Sequence, residues 1–129
     1  MNNLIINYME LYVKIAIAIV AFEHLYFLYI EMFAWETKGK KAFKGALKPE
    51  LFAPTKTLAA NQGLYNGFLA AGLIWSLFIR DLNWSPNIAL FFLICIVIAG
   101  LYGGFTASKK IIYIQALPAF ITLILVLIG

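Results

Sequence analysis

The sequence predicts an all-α polytopic membrane protein, a single domain of 129 residues folded as a four transmembrane helix bundle. Three observations predict it. Hydrophobic residues make up 64% of the chain, against about 45–50% in an ordinary soluble domain. Charged residues are only 12%, and the mean hydropathy is +0.89. The apolar residues also gather into four stretches, each near the roughly 20 residues that cross a hydrocarbon core. A soluble globule of this length has too little interior for so much apolar surface. In lipid an open sheet edge has nothing to bond to, so the spans are helices.

The first span is expected over residues 11–35. It is apolar except for Lys14 near its start, Glu23 and His24 near its midpoint and Glu31 near its end. No basic segment and small-residue cleavage site bracket a short apolar core at the N-terminus, so the stretch reads as a retained span. The second span, residues 58–79, opens on the polar run Asn61-Gln-Gly-Leu-Tyr-Asn-Gly67. Gly63 and Gly67, continued by Ala71, suit close helix packing. The third span, residues 88–106, carries Cys95 as a small hydrophobe and Gly100, Gly103 and Gly104 at packing positions. The fourth, residues 111–128, holds Gln115 near its start. Pro118 is expected to kink it and free a carbonyl near Ile114.

The connections set the orientation. Lys38, Lys40, Lys41, Lys44, Lys48 and Lys56 lie in the first, and Lys109 and Lys110 in the third. These are eight of the ten basic residues, on one side of a four-span protein. The positive-inside rule makes that side the cytoplasm and leaves both termini outside. Trp35, Trp75 and Trp84 fall near span ends, as an aromatic belt places them. The lysine-rich connection reads first as a solvated loop on anionic headgroups. Its amphipathic stretch, residues 41–47, is the alternative docking surface. The net charge of +4 therefore reports topology and not nucleic-acid binding.

Ionisable groups at membrane depth cost about 2.5–3.5 kcal/mol each on insertion scales. At 100° per residue Glu23, His24 and Glu31 fit one face of the first helix, and Glu31 lies about 10.5 Å beyond His24. Glu31, Asn61, Gln62 and Gln115 share the cytoplasmic half, with Glu23, His24 and Asn66 deeper. Together with Tyr65, these residues are the candidate ligand or proton site. Three helices contribute, so an inward-facing polar cavity open to the cytoplasm is expected, with Glu31 near Asn61, Gln62 or Gln115. Such groups can exchange protons near neutral pH. Interhelical hydrogen bonding alone would also use amides and histidine, at about 0.6 kcal/mol per contact. A lone cysteine excludes an intrachain disulfide and a thiolate zinc cluster. One histidine and two glutamates on one helix do not make the paired Glu-x-x-His set of di-iron bundles. No metal or cofactor is expected.

Four segments taken together resemble a bacterial family of small integral membrane proteins that carries only a "domain of unknown function" label. They are His24-Leu-Tyr-Phe-Leu-Tyr-Ile-Glu-Met-Phe-Ala-Trp35, Leu58-Ala-Ala-Asn-Gln-Gly-Leu-Tyr-Asn-Gly-Phe-Leu-Ala-Ala-Gly-Leu73, Ala99-Gly-Leu-Tyr-Gly-Gly-Phe-Thr106 and Gln115-Ala-Leu-Pro-Ala119. The resemblance covers nearly the whole chain and implies a four-helix protein of the inner membrane. It implies no activity.

Function therefore rests on the residues. The leading expectation is binding or proton-coupled transport of a small amphipathic or cationic molecule in an intramembrane polar cavity. The alternatives are a membrane enzyme, isomerase-like, with His24 and a glutamate as acid–base pair on a lipid-soluble substrate, and a structural or accessory membrane subunit. Covalent hydrolysis is disfavoured, because no serine or cysteine has an evident base. The partners expected are membrane lipid, a small hydrophobic or cationic ligand and a second copy of the chain.

Overall fold

The computed structural model describes residues 9–129. Residues 1–8, on which the retained-span expectation partly rests, lie outside the described residues. Every regular element among the described residues is helical, apart from one isolated bridge between Lys44 and Leu47. Helix α1 is Leu11–Phe33, α2 is Lys56–Phe78, α3 is Trp84–Thr106 and α4 is Leu117–Ile128. Each matches a predicted stretch. Helix α3 starts four residues earlier than expected, because Oδ1 of Asp81 accepts from the backbone N–H groups of Asn83 and Trp84, both at 2.9 Å. Two of the helices, α1 and α3, are long and apolar enough to cross a membrane. Helix α2 is as long but carries the polar run, and the last apolar helix, residues 112–128, is shorter.

The helices form a ring in which α1 packs on α2, α2 on α3, α3 on α4, and α4 closes back on α1. Ile17, Val20 and Ala21 of α1 meet Leu73, Leu93, Ile96 and Ala119 in one apolar core. Glycines set two of the distances. A Cβ on Gly63 would stand 2.8 Å from Cγ of Met32 and 3.0 Å from Cβ of Glu31, so the start of α2 lies against the C-terminal half of α1. A Cβ on Gly100 would stand 2.6 Å from the backbone nitrogen of Ala116. Ala71 does not continue the stripe: it is exposed, and the buried side of α2 runs through Gly63, Asn66, Ala70 and Leu73. These recur at helical spacing, whereas Ala71 has drifted about 80° from Gly63. At the opposite end, the Ser85 hydroxyl donates to the carbonyl of Ser76 at 2.8 Å and ties α3 to α2.

Pro118 has a particular consequence. The chain runs from Ile112 to Ala116 as a π-helical turn, and α4 begins at Leu117. The proline ring cannot donate to the carbonyl four residues before it, and a wider turn absorbs the misfit ahead of the helix.

The first connection is not an open loop, which corrects the first reading of it. A π turn over Trp35–Gly39, a helical turn over Lys40–Ala42 and a 3-10 turn over Pro49–Leu51 fold around Trp35. Its ring packs on Phe43 and on the fully buried Phe52, with centroids 5.2 and 4.9 Å apart. Its indole N–H donates to Oγ1 of Thr55 at 3.1 Å. Trp35 is therefore an anchor of this segment, while Trp75 and Trp84 stay exposed. The connection's lysines are exposed, and Lys44 is among them.

Candidate functional site

Beneath this folded connection lies a cavity of about 380 Å³. Helix α1 gives its floor and one wall, α2 a second wall, and the π turn a third. Residues 42–46 of the connection and the turn after α3 close the top. Its position follows from a register. Gln115 reaches His24 with 3.2 Å between Nε2 atoms, so the π turn meets α1 about 10.5 Å short of Glu31. Helices α1 and α2 project beyond the α3–α4 hairpin, and the connection folds over the step.

Five of the eight candidate residues line this cavity: Glu23, Glu31, Gln62, Asn66 and Gln115. Glu31 and Asn66 are buried, and the amide of Asn66 donates to Oε1 of Glu31 at 3.0 Å. The partner of Glu31 is thus Asn66, not one of the three residues expected from depth. Oε2 of Glu31 is buried with no hydrogen-bond partner among the described residues. Glu23 is half-buried and sits about 12 Å from Glu31 along the helix.

His24 stands behind the wall, with no exposed surface. Its Nδ1 lies 2.9 Å from the carbonyl oxygen of Val20, which can only accept, so Nδ1 carries the proton. Nε2 then accepts from the Gln115 amide. Phe27 packs edge-on against the ring at 5.3 Å. Both nitrogens are engaged, and this pair fixes where the π turn touches α1.

Asn61 and Tyr65 are exposed and do not line the cavity. Helix geometry separates them: Gln62 and Asn66 lie about 40° apart around α2, whereas Asn61 is about 140° from Asn66 and Tyr65 about 100°. Among the described residues no three of His, Cys, Asp and Glu converge as a metal site. The sequence reading missed Tyr26, Ile30 and Ile114 as lining residues, together with the roof groups Phe43 and Lys44. The amphipathic stretch 41–47 was the signal for the roof. Lys110 and Ser108 had shown only as a turn.

A helical bundle with a largely apolar pocket at one end, into which a few polar side chains reach, is the class of protein these observations define. The chain belongs to the family described as protein of unknown function (DUF1304), whose model matches residues 18–127. It is 37% identical over 107 residues to the uncharacterized protein YpaA of Lactococcus lactis subsp. lactis (strain IL1403). That alignment covers 82% of this chain and 88% of the relative. No solved structure matches.

Proposed function

We propose that the chain crosses the bacterial cytoplasmic membrane four times, with both termini outside. In this reading it binds a small amphipathic or cationic molecule in the cavity, and Glu31 exchanges a proton for that molecule. The outer surface supports the membrane part. Phe22, Phe33, Phe78 and Phe105 are each more than 70% exposed, an exterior that suits an apolar solvent. The roof lysines and Lys110 lie at one end, in keeping with a cytoplasmic face there.

One observation carries the binding part: Glu31 is 4% exposed, yet one of its two oxygens has no partner. A glutamine there would accept from Asn66 equally well without the cost of a carboxyl group. The carboxyl is explained if a donor arrives. A ligand ammonium meets Oε2 once the Glu31 side chain turns it from its buried position toward the cavity, as the proton held by Glu31 leaves, and Glu23 offers a second acceptor. If the ligand crosses, the proton moves the opposite way. His24 holds Gln115 in the wall, and with both nitrogens engaged it lends no support to the enzyme reading.

The test uses the full chain in dodecyl maltoside with dodecylamine as probe, binding being read by native mass spectrometry. Removing a charge-assisted hydrogen bond of about 1.5–3 kcal/mol predicts that Glu31→Gln weakens binding roughly 10- to 100-fold. Proteoliposomes should release protons as dodecylamine enters. Equal binding by a folded Glu31→Gln variant would leave the polar residues as interhelical glue and favour a structural subunit.

A further inference from the structure

We propose that the cavity's ligand is a zwitterionic amphiphile, with an ammonium and an anionic group on one head and an apolar chain that leaves sideways. This rests on the binding reading above and specifies its ligand class. Three features of the cavity argue for it.

The polar groups are divided by sign. The carboxyl groups Glu23 and Glu31 belong to α1, and amides come from Gln62 and Asn66 of α2 and Gln115 of the π turn. The cations Lys44 and Lys110, with the hydroxyl of Ser108, belong to the roof and the opposite turn. A pure cation would satisfy Glu31 and leave the lysines facing it across the same space. A pure anion would meet the lysines and leave Oε2 of Glu31 without a donor. A head carrying both signs satisfies both sides, and a primary ammonium has three N–H donors to share between carboxyl and amide oxygens.

The cavity also has a side opening. Tyr26 of α1 and Ile114 of the π turn both line it and are 53% and 47% exposed. The cavity is thus open between these two elements, along an apolar edge. A volume of about 380 Å³ holds a head and the start of a chain, but not a whole two-chain lipid. The head has to be small, which favours an ammonium separated by a short linker from phosphate or carboxylate.

Finally, the roof is fixed to the bundle. Phe43 lines the cavity and packs on Trp35, and Lys44 follows it directly. Seating an anionic group under Lys44 thus draws on a segment already anchored to the bundle.

The test measures four probes against the full chain in dodecyl maltoside by native mass spectrometry: lysophosphatidylethanolamine, lysophosphatidylcholine, dodecylamine and free phosphoethanolamine. Lysophosphatidylethanolamine should bind at least about tenfold more tightly than dodecylamine. It should also exceed lysophosphatidylcholine, whose quaternary nitrogen has no N–H to donate. The double variant Lys44→Gln/Lys110→Gln, at two exposed positions, should weaken lysophosphatidylethanolamine and so erase its advantage, while dodecylamine, relieved of two facing cations, should bind no more weakly than to the parent. Free phosphoethanolamine should bind much more weakly than the lysolipid; equal binding would show that the apolar chain contributes nothing and would overturn the amphiphile. If dodecylamine binds through Glu31 but the lysolipid gains nothing, or the gain survives loss of both lysines, the zwitterion is refuted and the cation reading stands. If neither probe binds, both readings fall.

Discussion

Replacing Gly100 with alanine places a methyl group against backbone. The new Cβ would lie 2.6 Å from the nitrogen of Ala116, 2.8 Å from its Cβ and 2.9 Å from its Cα. Ordinary contact begins near 3.4 Å, so α3 and the π turn must part by about 0.8 Å. No rotamer change can relieve this, because the obstacle is main chain. Overpacking of this kind costs about 1–3 kcal/mol, and alanine returns about 0.5–1 kcal/mol through helix propensity. A net loss of about 1–2 kcal/mol follows. The control is Gly103→Ala, whose Cβ would meet only side-chain atoms of Ile111 at 3.1 Å and beyond. That side chain can turn aside, and the control should stay within about 0.5 kcal/mol of the parent. Unfolding in mixed dodecyl maltoside and dodecyl sulfate micelles reads both. The π turn carries Gln115, so Gly100→Ala should also weaken dodecylamine binding while Gly103→Ala leaves it intact. Equal stability of the two variants would refute the close approach of α3 to the π turn.

Three other outcomes are expected. Asn66→Ala leaves both oxygens of a buried Glu31 without partners and should cost about 1–2 kcal/mol in the same assay; Asn66→Leu combined with Glu31→Met should recover most of it, and no recovery would mean that the pair is not coupled. Trp35→Ala removes the ring that Phe43 and Phe52 pack on and should cost about 2–4 kcal/mol locally, seen as faster tryptic cleavage at Lys40, Lys41 and Lys44 with the helices still protected; unchanged cleavage would remove the folded roof. Reporter fusions after Gly129 should report the external side and insertions at Lys48 the cytoplasmic side, and the reverse pattern would overturn the orientation.

Much of the fold was legible in the chain. The apolar stretches gave all four long helices, since length and hydropathy decide where a helix can be buried or meet lipid. The glycines of α2 and α3 were readable as contact points because a missing Cβ has few other uses in a helix. The site was legible in part. Glu23, Glu31, Gln62, Asn66 and Gln115 could be singled out because polar groups are costly among apolar neighbours. Grouping them by depth brought Glu31 to one cavity with Gln62 and Gln115, but it admitted Asn61 and Tyr65, which helix rotation turns away, and did not single out Asn66 as the hydrogen-bond partner. The His24–Gln115 bond was not legible: it depends on the register of α4 against α1, which a π turn ahead of Pro118 sets. The roof was hidden for a related reason. Lysine content alone suggests a solvated loop, whereas Trp35, Phe43 and Phe52 become a cluster only when turns bring them together.

The central claim is that the cavity beside Glu31 is where an amphiphile binds. Photolabelling with a dodecylamine derivative carrying a diazirine near its nitrogen, followed by peptide mapping, tests it most directly. The account predicts label on Tyr26, Phe27 and Ile114, suppressed by excess dodecylamine and lost in Glu31→Gln. Label spread over the outward faces of α3, around Phe91 and Ile98, and indifferent to Glu31 would contradict it.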